Sequence, residues 1–480
     1  MSILENIEPK KVFYYFEELC KIPHGSRNTK QISDYCVQFA KDRGLTWYQD
    51  ENNNVIIVKN ATKGYENATA VILQGHLDMV CEKEPGASIN MEQEGLILER
   101  KGDAISAKGT TLGGDDGIAI AMSLAILDSN DISHPQLEAV FTVDEEIGML
   151  GAGSIDTSPL QGKWMLNIDS EEEGVFTVSC AGGDVAECKL PLRTTDYSGT
   201  AYEVTVCGLK GGHSGIEINK GRGNANVILG RLLQELALSF DIQLISVDGG
   251  LKDNAIPREA KAVITVSDAE QIQTITTGFE KKIKNEFHTT DVEVSFCVEK
   301  VQVENRKRME KETTKKALFM LTCLPNGIQR MSADIDGLVE TSLNMGIVKT
   351  QKDELSISFC VRSSVSSQKE MLNRRLIEMM TQIDGTVSIT GDYSAWEYRK
   401  DSPLRDLMVE VFKNQYGREP KIEAVHAGVE CGIFAGKIAD LDCVSFGPDL
   451  TQIHTVREQM SISSVQRVYQ FIIEVLKRIK

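Results

Sequence analysis

The chain has 480 residues, enough for two or three domains of ordinary size and for a core that needs no disulfide support. Its 52 Lys plus Arg stand against 70 Asp plus Glu, a formal charge of −18 that repels phosphate backbones and anionic headgroups, so nucleic acid and membrane surfaces are excluded as expected partners. The 11 Cys are scattered and include no C-x-x-C, which reads as free thiols in a reducing compartment. The opening MSILENIEPKKV lacks the basic and apolar regions of a secretion signal, so a cytoplasmic location is expected.

In chain order, apolar residues at helical spacing predict helices over residues 9–20 and 32–43. Strands follow at 54–59, 70–74, 137–143 and 163–167, with an apolar helix at 117–127 that is too short for the roughly 20 residues of a membrane span. This alternation predicts an α/β fold, a helix-flanked mixed sheet. From about residue 184 the texture changes. Strands at 202–207, 261–266, 291–298 and 355–361 interleave with helices at 224–238, 269–284, 310–321 and 368–383, which predicts an inserted α/β lid domain over 184–394. The chain then returns, with a helix at 404–416, a strand at 443–446 and a closing helix at 461–479. Residues 1–183 and 395–480 thus form one discontinuous domain.

Chemistry concentrates at predicted strand ends, where open α/β sheets place their sites. His76 and Asp78 follow the 70–74 strand at i and i+2, on the same side of an extended chain. Asp115, in GGDDG, precedes the apolar helix; Glu145 and Glu146 follow the 137–143 strand; Asp169 follows 163–167; His454 lies in a loop before the last helix. Taken singly, these are an ordinary strand-end pair, a helix N-cap, a solvated acidic turn and a surface histidine. Together His76, Asp115, Glu146, Asp169 and His454 offer five imidazole and carboxylate ligands in one predicted sheet, enough for two cations sharing one carboxylate. A donor set without thiolate suits catalytic zinc, and manganese or cobalt could use it as well.

The ordered set HLD, GGDDG, DEE, NID and GP followed by IHT resembles the two-zinc peptidase family that includes aminoacylases, acetylornithine deacetylase, carnosine-type dipeptidases and glutamate carboxypeptidases. The resemblance spans nearly the whole chain. It extends to QGHLDMVCEK, FTVDEEIGMLGA, LNIDSEEEG, GGHSGIEI, DNAIPR and HAGVECGIFAG, the forms found in its bacterial dipeptidase branch. On that resemblance Asp115 bridges two divalent cations, His76 and Asp169 complete one site, and Glu146 and His454 complete the other. Glu145 is then the general base and Asp78 the residue that orients His76. In the lid, the resemblance makes His213 a donor to the developing oxyanion, Asn254 a substrate contact and Arg362 a clamp for the substrate's terminal carboxylate. It marks His426 and Glu430 only as possible pocket residues.

The function expected is metal-dependent hydrolysis of unblocked dipeptides, Xaa-His among them, in a possible homodimer. Rivals on the same scaffold are an N-acyl-amino-acid deacylase and a tripeptidase; a rival of another class is a non-catalytic peptide- or metal-binding protein. No G-x-S-x-G elbow and no Walker loop occur, which removes the serine hydrolase and P-loop readings.

Overall fold

The computed structural model describes residues 3–266, 269–303 and 307–480. They divide into two compact units: Met1–Ser179 with Tyr398–Ala424 and Val429–Lys480, and Cys180–Glu397 with Val425–Gly428. The four residues Val425–Gly428 are a further crossing that the two-crossing expectation does not contain.

The first unit is built on an eight-stranded sheet ordered Thr46–Gln49, Val55–Lys59, Leu137–Thr142, Val71–His76, Trp164–Asn167, Asp442–Ser445, Val175–Cys180, Lys421–Val425. Val71–His76 is buried along its whole length, as a central parallel strand covered on both faces must be. It runs parallel to Leu137–Thr142 with His76 opposite Thr142, and parallel to Trp164–Asn167 with Gln74 opposite Asn167. This register brings the ends of three strands to one edge, just before His76 ends its strand and Glu145 and Asp169 follow theirs.

The helix Gly114–Leu127 is apolar on nearly every side and almost wholly buried, packed on the helix Lys10–Cys20 and on the Val71–His76 strand. Asp115 and Asp116 at its start have non-helical backbone angles, so regular helix begins beyond them. The returning helices Pro403–Tyr416 and Ile462–Arg478 close over the sheet through edge-to-face contacts among Phe176, Phe412, Phe446 and Phe471. A four-stranded sheet, Leu450–Thr451, Gln459–Ser461, Ala104–Ala107 and Leu98–Lys101, anchors the segment on either side of His454.

The second unit holds a nine-stranded antiparallel sheet with the helices Ala225–Ser239, Lys311–Cys323 and Ser366–Thr381 packed against its strands. Asn224 caps the first of these helices by accepting from the N–H groups of Asn226 and Val227. The long strand Val339–Thr350 has no predicted counterpart. Its first eight residues are buried on both faces, so the alternation that betrays a half-buried strand is missing. No helix among the described residues is long and apolar enough to cross a membrane.

Candidate metal centre

The first unit gathers histidine and carboxylate side chains into three overlapping groups whose ligand atoms lie within 4.8 Å of one another: His76 with Asp116 and Asp169, His76 with Glu145 and Glu146, and Asp115 with Glu146 and His454. Asp115 is central. Its Oδ1 lies 3.1 Å from His76 Nε2 and its Oδ2 3.1 Å from His454 Nε2. Asp169 Oδ1 lies 3.7 Å from the same His76 nitrogen, and Glu146 Oε1 is 3.0 Å from His454 Nε2.

Strand geometry explains the His76 side. Its Nδ1 donates to the Asp78 carbonyl at 2.9 Å, which turns the Nε2 lone pair toward Asp115 and Asp169. The His76 N–H donates to Asp116 Oδ2 at 3.1 Å. Gly75 makes this approach possible, since a Cβ there would stand 2.5 Å from that oxygen. His454 has φ of 59° and Asp144, beside Glu145, has φ of 55°; left-handed backbone of this kind at side chains other than Gly costs of order 1 kcal/mol and gathers at functional sites.

The electrostatics asks for a cation. Burial and then Asp116 push Asp169 well above the usual carboxylate range, and burial likewise raises Asp116. Glu145 is pushed up to about 8 by burial, with Glu430, Glu146 and Asp115 adding to it against the opposing charge of His76. Burial disfavours a charged His76, but Asp115 and Asp78 outweigh it and hold its pKa well above the ordinary value. Hydrogen bonds to Asp115 and Glu146 raise His454 to about 10. Two imidazole nitrogens are thus held against carboxylate oxygens in positions that only a proton or a cation can reconcile. Glu146 Oε1 is buried and faces His454 Nε2 at 3.0 Å, a further oxygen that could serve as a ligand atom. The mixed N/O set fits two divalent cations.

Asp78 meets His76 with both its carbonyl and its carboxylate, and its carboxylate has further partners. Its carboxylate is 3.5 Å from His76 Nδ1, farther than its own carbonyl, and also accepts from the N–H of Glu145 at 3.0 Å, of Glu146 at 3.4 Å and from Ser26 Oγ at 2.8 Å. It shapes the turn that presents the two glutamates.

In the second unit, His213 pairs with Ala255 across a short ladder, and Ser214 N donates to the Asn254 carbonyl at 2.9 Å. Gly215 N donates to His213 Nδ1 at 3.1 Å, which leaves the ring proton on Nε2. Burial and then Arg362 lower the His213 pKa, keeping that ring a neutral donor. Arg362 is buried, gives Nη1 to Tyr393 Oη at 3.0 Å, and keeps Nε without a partner. His426 is buried in the same unit, 2.7 Å from Ser342 Oγ through Nε2, with Nδ1 unpartnered. The Asn254 side chain is exposed.

Glu430 belongs to the first unit, fully buried, and accepts from Gln74 Nε2 at 2.5 Å and Thr142 Oγ1 at 2.7 Å. Gln74 Oε1 in turn accepts from Asn167 Nδ2. One carboxylate therefore joins the Val71–His76 and Leu137–Thr142 strands directly and the Trp164–Asn167 strand through Gln74. Sequence reasoning also passed over Asp116 and Glu458. Asp116 had a signal, adjacency to Asp115 in a Gly-flanked turn, whereas Glu458 had none.

Residues 72–478 match peptidase family M20/M25/M40. The chain is 34% identical to the cytosol non-specific dipeptidase of Escherichia coli K12 over 483 aligned positions, covering 100% of this chain and 99% of that protein. A crystal structure of aminoacylhistidine dipeptidase from Vibrio alginolyticus superposes with a TM-score of 0.93 at 32% identity, covering 100% of this chain and 98% of that one. An aminopeptidase from Bacillus cereus shares the fold at a TM-score of 0.56 and 15% identity, over 98% of this chain and 99% of its own. With its candidate ligands gathered in the first unit and the match running from Ile72 to Arg478, the chain belongs to peptidase family M20/M25/M40.

Proposed function

We propose that this protein is a metal-dependent dipeptidase that hydrolyses unblocked dipeptides, Xaa-His among them, in the cytoplasm. The observation that carries the reading is the pair of imidazole Nε2 atoms facing the two oxygens of the buried Asp115 carboxylate, each at 3.1 Å. Asp115 would bridge two divalent cations, with His76 and Asp169 on one and Glu146 and His454 on the other. When bound, the cations lower the pKa of water and polarise the scissile carbonyl.

Glu145 accepts the proton of the attacking water and delivers it to the leaving amine; its carboxylate, held by the turn that follows the Leu137–Thr142 strand beside His76 and Glu146, suits that role. Asp78 holds the Glu145 turn. His213, neutral with its proton on Nε2, serves as a donor to the carbonyl oxygen as charge develops there. Arg362, with an unpaired Nε, serves as the clamp for the substrate's terminal carboxylate, and Asn254 as a further contact. The names of the E. coli and V. alginolyticus relatives, both dipeptidases, support the substrate class.

The test is hydrolysis of a small panel, including β-alanyl-histidine and N-acetylated amino acids, by chelated and then zinc- or manganese-restored protein. Cleavage of free dipeptides that vanishes on chelation and returns with metal is expected. Cleavage of acetylated compounds alone would move the assignment to a deacylase.

A further inference from the structure

Glu458 is buried, yet it belongs to none of the groups of ligand atoms at the centre. Both of its oxygens are already engaged. Oε2 accepts from Leu112 N at 2.8 Å and Gly113 N at 3.2 Å, and Oε1 accepts from Gly114 N at 2.8 Å and Asp115 N at 3.4 Å. Four successive backbone N–H groups thus converge on one carboxylate, the arrangement of an anion-binding nest filled by the protein's own side chain. The loop curls in this way because Gly113 has φ of 66°, and a Cβ on Gly114 would press within 3.0 Å of Leu450 and 3.3 Å of Glu458 Oε1.

The same residue closes the other side of the centre. Glu458 N donates to Thr455 O at 3.1 Å, fastening the turn that carries His454 in its left-handed conformation. Asp115 and His454 are therefore held from behind by one side chain and its own backbone, while their front atoms meet at 3.1 Å.

We propose that Glu458 is a positioning residue for the metal centre, fixing the Leu112–Asp115 loop against the His454 turn so that Asp115 presents one oxygen to each histidine. The proposal rests on the reading of Asp115 and His454 as metal ligands. Glu458→Gln exchanges two of the four acceptor contacts for an amine that faces N–H donors, with little change in volume.

The experiment titrates chelated full-length protein with Co²⁺, following its visible absorption, and measures the thermal midpoint of the metal-free protein. E458Q is compared with H454A and with a control, E138Q. Glu138 is also fully buried and accepts from Gln161 N and Gly162 N, but at the opposite end of the Leu137–Thr142 strand. Expected for E458Q is a loss of about tenfold or more in affinity for one Co²⁺ equivalent, the scale of a lost outer partner of a ligand, with an altered spectrum and kcat reduced more than KM is changed. E138Q, with a lowered midpoint, keeps both equivalents. G114A, which crowds the cradle while leaving the Glu458 carboxylate chemically intact, is expected to shift affinity in the same direction and serves if E458Q does not fold. Wild-type affinity and spectrum in E458Q (or in G114A, where E458Q does not fold), or equal metal loss in E138Q, would overturn the proposal while H454A remains defective. Undisturbed binding in H454A would overturn the ligand assignment itself and the proposal with it.

Discussion

The Asp78 carbonyl oxygen, not its carboxylate, is the nearer partner of the His76 ring, at 2.9 Å against 3.5 Å from Nδ1. The carboxylate stays within 3.5 Å of that ring while it also accepts from the N–H groups of the Glu145 turn, so Asp78 serves two parts of the centre. Asp78→Ala is expected to leave both cations bound and to lower kcat/KM by about 10- to 100-fold, because the glutamate turn loses its acceptor while His76 keeps its own. Kinetics alongside metal content checks this; loss of one cation in the variant would show that the carboxylate orients His76 after all.

Glu145→Gln keeps shape and removes the proton acceptor. A fall in kcat of about 10²-fold or more is expected, with KM changed little and metal content unchanged. Full activity in this variant would remove Glu145 from the base role.

Glu430 is a buried carboxylate whose pKa burial raises to about 7, against the opposing pull of His76, Thr142 and Gln74. A folded-state value above the unfolded one of 4.5 means that the folded protein holds the proton more tightly, so stability declines as pH rises from 4.5 through about 7. Glu430→Gln can still accept from Gln74 and Thr142, and it abolishes that decline; its thermal midpoint at pH 8 is expected to equal or exceed that of the parent. Glu430→Ala leaves both donors unsatisfied and is expected to cost about 2–4 kcal/mol in the first unit's unfolding, read by calorimetry. A lower midpoint for the Gln variant at pH 8 would contradict this account.

His426 shows the opposite sign. Burial, then Arg362 and His213, push its pKa down to about 3 from the ordinary 6.5. Below pH 6.5 the unfolded chain takes a proton that the folded protein refuses, so stability falls as pH drops toward 3, by about 2 kcal/mol between pH 6.5 and 5. His426→Gln is expected to soften the fall of the thermal midpoint between pH 7 and 5 without removing it, since burial also lowers His24 and His134. An unchanged slope would refute the assignment.

The candidate ligands were legible because each closes a recognisable strand or loop motif, and parallel register carries those ends to one edge. Glu458 was not, and the resemblance marks Glu430 only as a possible pocket residue, because their partners are amides, a hydroxyl and a side-chain amide hundreds of positions earlier, and no local pattern encodes such contacts. The passage between the units was blurred for a different reason. Val175–Cys180 ends in the first sheet and Gly182–Pro191 begins the second with only Ala181 between them, so no linker composition marks the change. The twelve-residue strand Val339–Thr350 shows how full burial erases the alternation on which strand reading depends.

The strand Asp442–Ser445 lies inside the first sheet, hydrogen-bonded between Trp164–Asn167 and Val175–Cys180, although the chain reaches it only after passing through the whole of the second unit. During synthesis the growing polypeptide therefore carries a sheet with a missing middle strand and two bare pairing edges, while Cys180–Glu397 is already available to collapse. His454 emerges later still. If His454 is a ligand as proposed, the order of translation makes metal capture one of the last events of maturation, and it makes the open sheet the species most in need of shielding from other nascent chains.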